Sequence, residues 1–194
     1  SERDPESAGE GCRSGDELAR LGVALRLAET EGLPWATNES KPPRKHLAKP
    51  ENRRTIVARQ ATDAIRLLLF TGCRLGEVVS MRWDRIDRAA GTLTLDQTKA
   101  GKRQVVVLNA PALALLEAAA RAEQSPWVLP MRGDPGRHVS ASAIERAWQR
   151  LRAVAGLDDV RLHDLRHTVG TYAGQAGANA FAVRDLLRHA TVAM

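Results

Sequence analysis

Apolar residues recur at intervals of three and four over most of this chain and alternate with polar ones only between Gly91 and Leu108. The first spacing belongs to helices with one buried stripe, the second to half-buried strands. Ser14-x-x-Glu17 has the form of a capping box, and Leu18, Leu21, Leu25 and Ala28 follow at helical spacing until Gly32-Leu33-Pro34 closes the run. A second helix is predicted from about Thr55 through Ala61, Ile65, Leu68 and Leu69 to Gly72, and a short third one from Arg74 to Trp83. The stretch Gly91–Thr98 has period two, and Arg103–Leu108 is β-branched and apolar; with Lys99-Ala100-Gly101-Lys102 between them they read as a β-hairpin. Asn109 and Pro111 start a helix through Leu113, Leu116 and Ala120. Trp127-Val128-Leu129 reads as a short edge strand. Ser140 caps a helix that turns Ile144, Trp148 and Leu151 to one side and ends at Gly156, and two last helices carry His163–Gln175 and Phe181–Leu187. The sum is an α+β fold, mainly α-helical with a small antiparallel β-sheet.

Length and composition narrow this further. The 194 residues suffice for one domain with its own core, here 14–194, entered by a polar linker at 1–13 from something upstream. No apolar run is long enough to span a bilayer, so no membrane partner is expected. Cys12 and Cys73 are the only cysteines, too few for a disulfide framework, and a reducing, cytoplasmic compartment is the expectation. The net charge of +6 is compatible with a polyanionic partner, and its distribution says more. Between 41 and 54, Lys41, Arg44, Lys45, Lys49, Arg53 and Arg54 face only Glu51, and three prolines make the stretch a loop. It reads either as a solvated surface loop or as a phosphate contact through residues such as Arg44 and Lys45.

The chemistry concentrates in two segments. At about 100° per residue, a helix carrying His163-Asp164-Leu165-Arg166-His167-Thr168 puts His163, Arg166 and His167 within one arc and Leu165, Val169 and Tyr172 opposite. That is a core helix presenting two imidazoles and a guanidinium. About ninety residues earlier, Thr71-Gly72-Cys73-Arg74-Leu75-Gly76-Glu77 sets Arg74 one turn from Glu77.

Either segment alone is a weak signal, but their order is specific. Arg74-x-x-Glu77, then Trp83-Asp84-x-Ile86-Asp87, then Thr98-Lys99 and a basic strand, then His163-x-x-Arg166, then Leu186-Leu187-Arg188-His189 resembles the signature series of the tyrosine recombinase, or phage integrase, family. The resemblance covers nearly the whole chain and implies the integrase-like catalytic fold, double-stranded DNA as partner, and a bacterial or phage origin. It implies site-specific recombination by strand cleavage and rejoining through a 3′-phosphotyrosyl intermediate, with no metal and no cofactor. Arg74 and Arg166 become phosphate clamps, since the guanidinium fork binds two phosphate oxygens and stays charged. Glu77 becomes the structural partner of an arginine.

Further roles follow from the resemblance alone. A hairpin lysine acts as general acid for the leaving 5′-hydroxyl; this falls on Lys99, with Lys102 as its rival on the same turn and Arg103 beside it as a DNA contact. His163 takes acid-base work or a hydrogen bond to phosphate, and His189, after Arg188 where the family commonly has glycine, takes the third-box role. His167 supports. Family members attack with a tyrosine beyond the third box. Tyr172 is the only tyrosine and lies on the apolar side, so the expectation is a fragment truncated or disordered before its nucleophile. The whole protein is expected to be tetrameric on DNA and this fragment monomeric. Two other classes stay open: a catalytically silent DNA-binding relative, and a metal-dependent hydrolase. For the latter, His163 and His167 have the spacing of zinc ligands, although Asp164 replaces the usual glutamate and no third ligand is evident.

Overall fold

The computed structural model describes residues 15–36, 48–95, 103–120, 125–166 and 168. The first helix, α1 (Gly15–Thr30), buries Leu18, Leu21, Leu25 and Ala28 as their spacing requires. It ends at Gly32, whose φ of +84° suits glycine, and a Cβ there would stand 2.8 Å from the Thr55 carbonyl carbon. That close approach lets β1 (Leu33–Pro34) pair antiparallel with β2 (Arg54–Thr55).

The pairing corrects the predicted start of the second helix. Thr55 lies in a strand, and α2 begins four residues later, spanning Arg59–Thr71. The backbones of Arg53 and Arg54 are taken up by the chain from Leu33 to Trp35, with the Trp35 N–H donating to the Arg53 carbonyl at 3.0 Å. Within α2 every residue from Ala61 to Phe70 is buried, polar ones included, and Gly72 closes the helix in the left-handed conformation.

The third helix is also shorter than predicted: α3 runs Leu75–Val79 only. The Ser80 hydroxyl donates back to the Gly76 carbonyl at 2.6 Å, and the chain then extends so that Arg82 bridges to Trp127 and the Met81 carbonyl accepts from the Val128 N–H. Trp83–Arg85 forms one 3-10 turn, and β3 (Ile86–Asp87) follows. The predicted hairpin is present as β4 (Thr92–Leu95) and β5 (Gln104–Val107), and β3 adds a third strand that alternation alone did not announce. Leu93 points into the core while Val105 and Val107, on the outer face, are 58% and 77% exposed.

Asn109 caps α4 (Ala110–Ala120) by accepting the Ala112 N–H at 3.0 Å. The edge strand predicted at Trp127–Leu129 is displaced: Trp127 pairs as an isolated bridge to Arg82, and β6 (Pro130–Met131) pairs instead with β7 (Asp134–His138) around a turn at Gly133. Ser140 caps α5 (Ala141–Ala155), which buries Ile144, Trp148 and Leu151 and ends at Gly156. α5 lies against α1 and α2, and α4 against α2, so the core is a helical cluster with the small sheets at its side. The architecture is mainly helical with antiparallel sheets. No described helix is long and apolar enough to cross a membrane.

Candidate active site

The site is assembled from two turns that follow helix ends. Gly72 turns the chain out of α2, Cys73 is buried beneath, and Arg74 becomes the N-cap of α3. Its backbone N–H donates to Glu77 Oε2 at 2.7 Å and its Nη1 to Glu77 Oε1 at 3.0 Å. Glu77 is mostly covered (18% exposed) and Arg74 is half open (51%), so the carboxylate holds one terminal nitrogen of the guanidinium while much of the side chain stays open to solvent. Burial pushes the Cys73 thiol up, as does the Glu77 charge, while a hydrogen bond involving Thr71 and the Arg166 charge act the other way. The thiol is therefore held protonated and unreactive.

The second turn follows α5. Arg161 is the N-cap of the 3-10 turn Leu162–Asp164, and Asp164 Oδ2 accepts its backbone N–H at 2.9 Å. The same carboxylate accepts from Arg161 Nε and Nη2, both at 3.0 Å. Burial raises the Asp164 acid, but the hydrogen bonds and charge of Arg161 outweigh it and hold it below the usual carboxylate value.

This turn corrects the helical arc expected from His163 onward. His163 sits in the 3-10 turn, which closes on a three-residue bond from the Asp164 N–H to the Arg161 carbonyl at 2.9 Å, and α-helical geometry begins only at Leu165. The side chains still segregate: Leu165 is buried, His163 is exposed and Arg166 is partly covered. His163 and Arg166 meet the first segment across a cleft of about 170 Å³, lined also by Leu68, Cys73, Leu75, Glu145 and Leu162. Arg74 is not in that lining; it adjoins it through its neighbours Cys73 and Leu75. Among the described residues two larger clefts lie elsewhere, one beside Ile56 and Met131 and one along Asp84–Arg88 that includes Arg103; neither joins the two segments.

Of the other residues expected at the site, Arg103 is exposed just before β5. Lys99, Lys102, His167, His189, Arg44, Lys45 and Tyr172 lie outside the described residues. Among the described residues no three His, Cys, Asp or Glu side chains converge as a metal site would need. Asp164, which stands where a zinc peptidase motif has its base, is bound to Arg161 instead. Sequence reasoning missed the Arg161–Asp164 cap. Its signal was available, since Arg161-x-x-Asp164 repeats the spacing of Arg74-x-x-Glu77.

Comparison with known proteins bears on this arrangement. The model of the phage integrase family matches residues 45–194. Tyrosine recombinase XerC of Brucella melitensis is 31% identical over 208 aligned positions, covering 95% of this chain and 66% of that protein. Tyrosine recombinase XerD of Caulobacter vibrioides is 26% identical, covering 89% of this chain and 63% of that protein. The chain thus spans just under two thirds of the length of these curated relatives. Among solved structures, XerA recombinase aligns over 97% of this chain and 60% of its own at a TM-score of 0.59 and 19% identity. A lambda integrase tetramer bound to a Holliday junction aligns over 100% of this chain and 48% of its own at a TM-score of 0.58 and 20% identity. These structures share the fold.

Proposed function

The chain belongs to the phage integrase family, and on that premise we propose that it is the catalytic domain of a site-specific tyrosine recombinase acting on double-stranded DNA. In the proposed reaction a tyrosine hydroxyl attacks a backbone phosphorus, a bond from the tyrosine oxygen to phosphorus forms and the bond from phosphorus to the 5′-oxygen breaks. The products are a 3′-phosphotyrosyl link and a free 5′-hydroxyl, and attack by another strand's 5′-hydroxyl reverses the step. One ester bond replaces another, so no nucleotide energy source enters. Such a reaction serves integration or excision of phage or mobile DNA.

The observation that carries this reading is the cleft between the two segments, with Arg166 and His163 on one wall and the residues flanking Arg74 on the other. Negative charge gathers on the nonbridging oxygens in the transition state, and fixed guanidinium groups stabilise it without reorganising. We assign that work to Arg74 and Arg166. His163 handles the nucleophile's proton or bonds the phosphate, Lys99 protonates the leaving oxygen, and His189 donates a further hydrogen bond. Glu77 and His167 support them, and Lys102, Arg103, Arg44 and Lys45 contact the DNA backbone. The whole protein assembles as a tetramer on paired DNA sites, and the chain alone is a monomer, which sedimentation measures directly.

Tyr172, the one tyrosine of the sequence, is given no part in the attack. The test therefore uses the full-length product of the gene on a nicked suicide duplex, which traps the covalent protein–DNA link on a denaturing gel. Arg166→Ala is expected to abolish the link, a loss of at least about a hundredfold, with melting temperature unchanged; undiminished linkage in that variant rejects the site. Lys99→Ala is expected to slow linkage far more than Lys102→Ala, and equal effects reject the choice between them. DNA binding by the full-length wild type without any covalent product would favour the second reading, a silent DNA-binding relative.

A further inference from the structure

The two arginine turns are built alike. In each, an arginine stands at the N-cap, its own backbone N–H donates to a carboxylate three residues on, and the same carboxylate grips its guanidinium. In each, too, the acid is covered and the base is open: Glu77 and Arg74 are 18% and 51% exposed, Asp164 and Arg161 4% and 63%. The other exposed pair with a two-point grip, Arg82 with Asp84, lacks this arrangement, because its acid is itself 58% exposed. A covered carboxylate under an open guanidinium fixes the direction of the fork before any ligand arrives.

The donors left over define what such a fork can take. A guanidinium carries five N–H groups, and Asp164 uses one on Nε and one on Nη2 of Arg161. Both hydrogens of Nη1 and the second of Nη2 take no part in that grip, and the side chain is 63% exposed. They form a donor edge suited to a planar or tetrahedral oxyanion, and the acid behind it is already neutralised. Arg161 precedes His163 by two residues and Arg166 by five, on the turn that supplies one wall of the cleft.

We propose that Arg161 is a further DNA-binding residue, holding a backbone phosphate adjacent to the one held by Arg74 and Arg166, with Asp164 as its aiming device. The choice of DNA as the partner rests on the recombinase reading. A phosphate contact releases a counterion, so it has a signature that structural roles lack.

The experiment is fluorescence anisotropy of this 194-residue chain with a labelled duplex of about 20 base pairs and arbitrary sequence, followed from low to physiological salt. Arg161→Ala is expected to flatten the slope of log affinity against log salt by about one. Arg161→Lys, which keeps the charge, is expected to restore that slope. Arg161→Ala leaves the covered Asp164 carboxylate with the backbone N–H alone, so its melting temperature is expected to fall somewhat; Arg161→Gln against Arg161→Lys makes the same comparison in chains that keep a side-chain donor. A wild-type slope retained in the alanine or glutamine variant overturns the proposal while leaving the recombinase reading intact. A wild-type chain with no salt-dependent binding overturns both.

Discussion

Arg66 and Arg74 stand eight residues apart, each paired with carboxylates at hydrogen-bond distance, yet they do opposite things. Arg66 is 3% exposed and joins two helices: it donates to both oxygens of Glu29 on α1, at 2.5 and 3.1 Å, and to Asp63 on its own helix at 3.2 Å. Thr62 donates to the same Glu29 carboxylate. Arg74 pairs inside a single turn and stays half open to solvent. A guanidinium whose partners come from two packed helices is spent on the fold. One whose partner lies three residues away remains available to a ligand. The paired turns at Arg74 and Arg161 belong to the second kind.

Stability should separate the two kinds most sharply. Arg66→Ala leaves two covered carboxylates without their cation, and a loss of about 3–5 kcal/mol is expected in urea unfolding. Arg74→Ala should cost less, about 1–2 kcal/mol, since half of that arginine is already in solvent and Glu77, though as covered as Glu29, keeps the backbone N–H of residue 74 as a donor. Equal losses would break the distinction. Replacing the whole cluster, Glu29→Gln with Asp63→Asn and Arg66→Met, should recover much of the Arg66→Ala deficit, because no buried charge then lacks a partner.

A finer contrast is in the acid range. Burial, helped by the Glu29 charge and opposed by Arg66 and Arg59, raises the Asp63 acid above its ordinary value. Its contribution is therefore fullest at low pH and is lost as pH rises through its folded value. Asp164 is lowered, so its contribution is present above its unfolded value and is lost as pH falls through its folded one. In urea melts from pH 5 down to about pH 3, Asp164→Asn should flatten the wild-type decline in stability and Asp63→Asn should steepen it. The same direction in both variants would defeat the assignment. The smallest effect concerns aim rather than stability: Glu77→Gln should leave the melting temperature near wild type while weakening duplex binding a few-fold, as the Arg74 fork loses its charged anchor.

The sequence carried the helices well where one face is buried. The stripe Leu18, Leu21, Leu25 and Ala28 and the cap–stripe–glycine series from Ser140 to Gly156 appear as read. It failed where backbone pairing between distant segments decided the conformation. Thr55 became a strand residue because Leu33 lay opposite, and the third helix stopped at Val79 because Arg82 met Trp127. Periodicity contains no information about such partners. At the site, residue types and their order pointed to both segments, and the structure brings His163 and Arg166 to the neighbours of Arg74. The helical arc from His163 failed for a local reason, since the first turn closes on a three-residue bond rather than a four-residue one. The Arg66 cluster was invisible, because a charge in the middle of an apolar stripe looks like an exposed position until the second helix is laid on it.

The outer row of β5 has a consequence for handling the protein. Among the described strands β5 has a neighbour on one side only, and Val105 and Val107 stand on its open face. An unpaired edge with apolar side chains is a template on which a second chain can be laid. What limits it here is brevity: Gln104–Val107 offers four residues, with Arg103 charged at its start. The margin between a dispersed sample and a concentration-dependent precipitate is therefore set by the length of that edge, and a lysine at position 105 or 107 is the change that widens it.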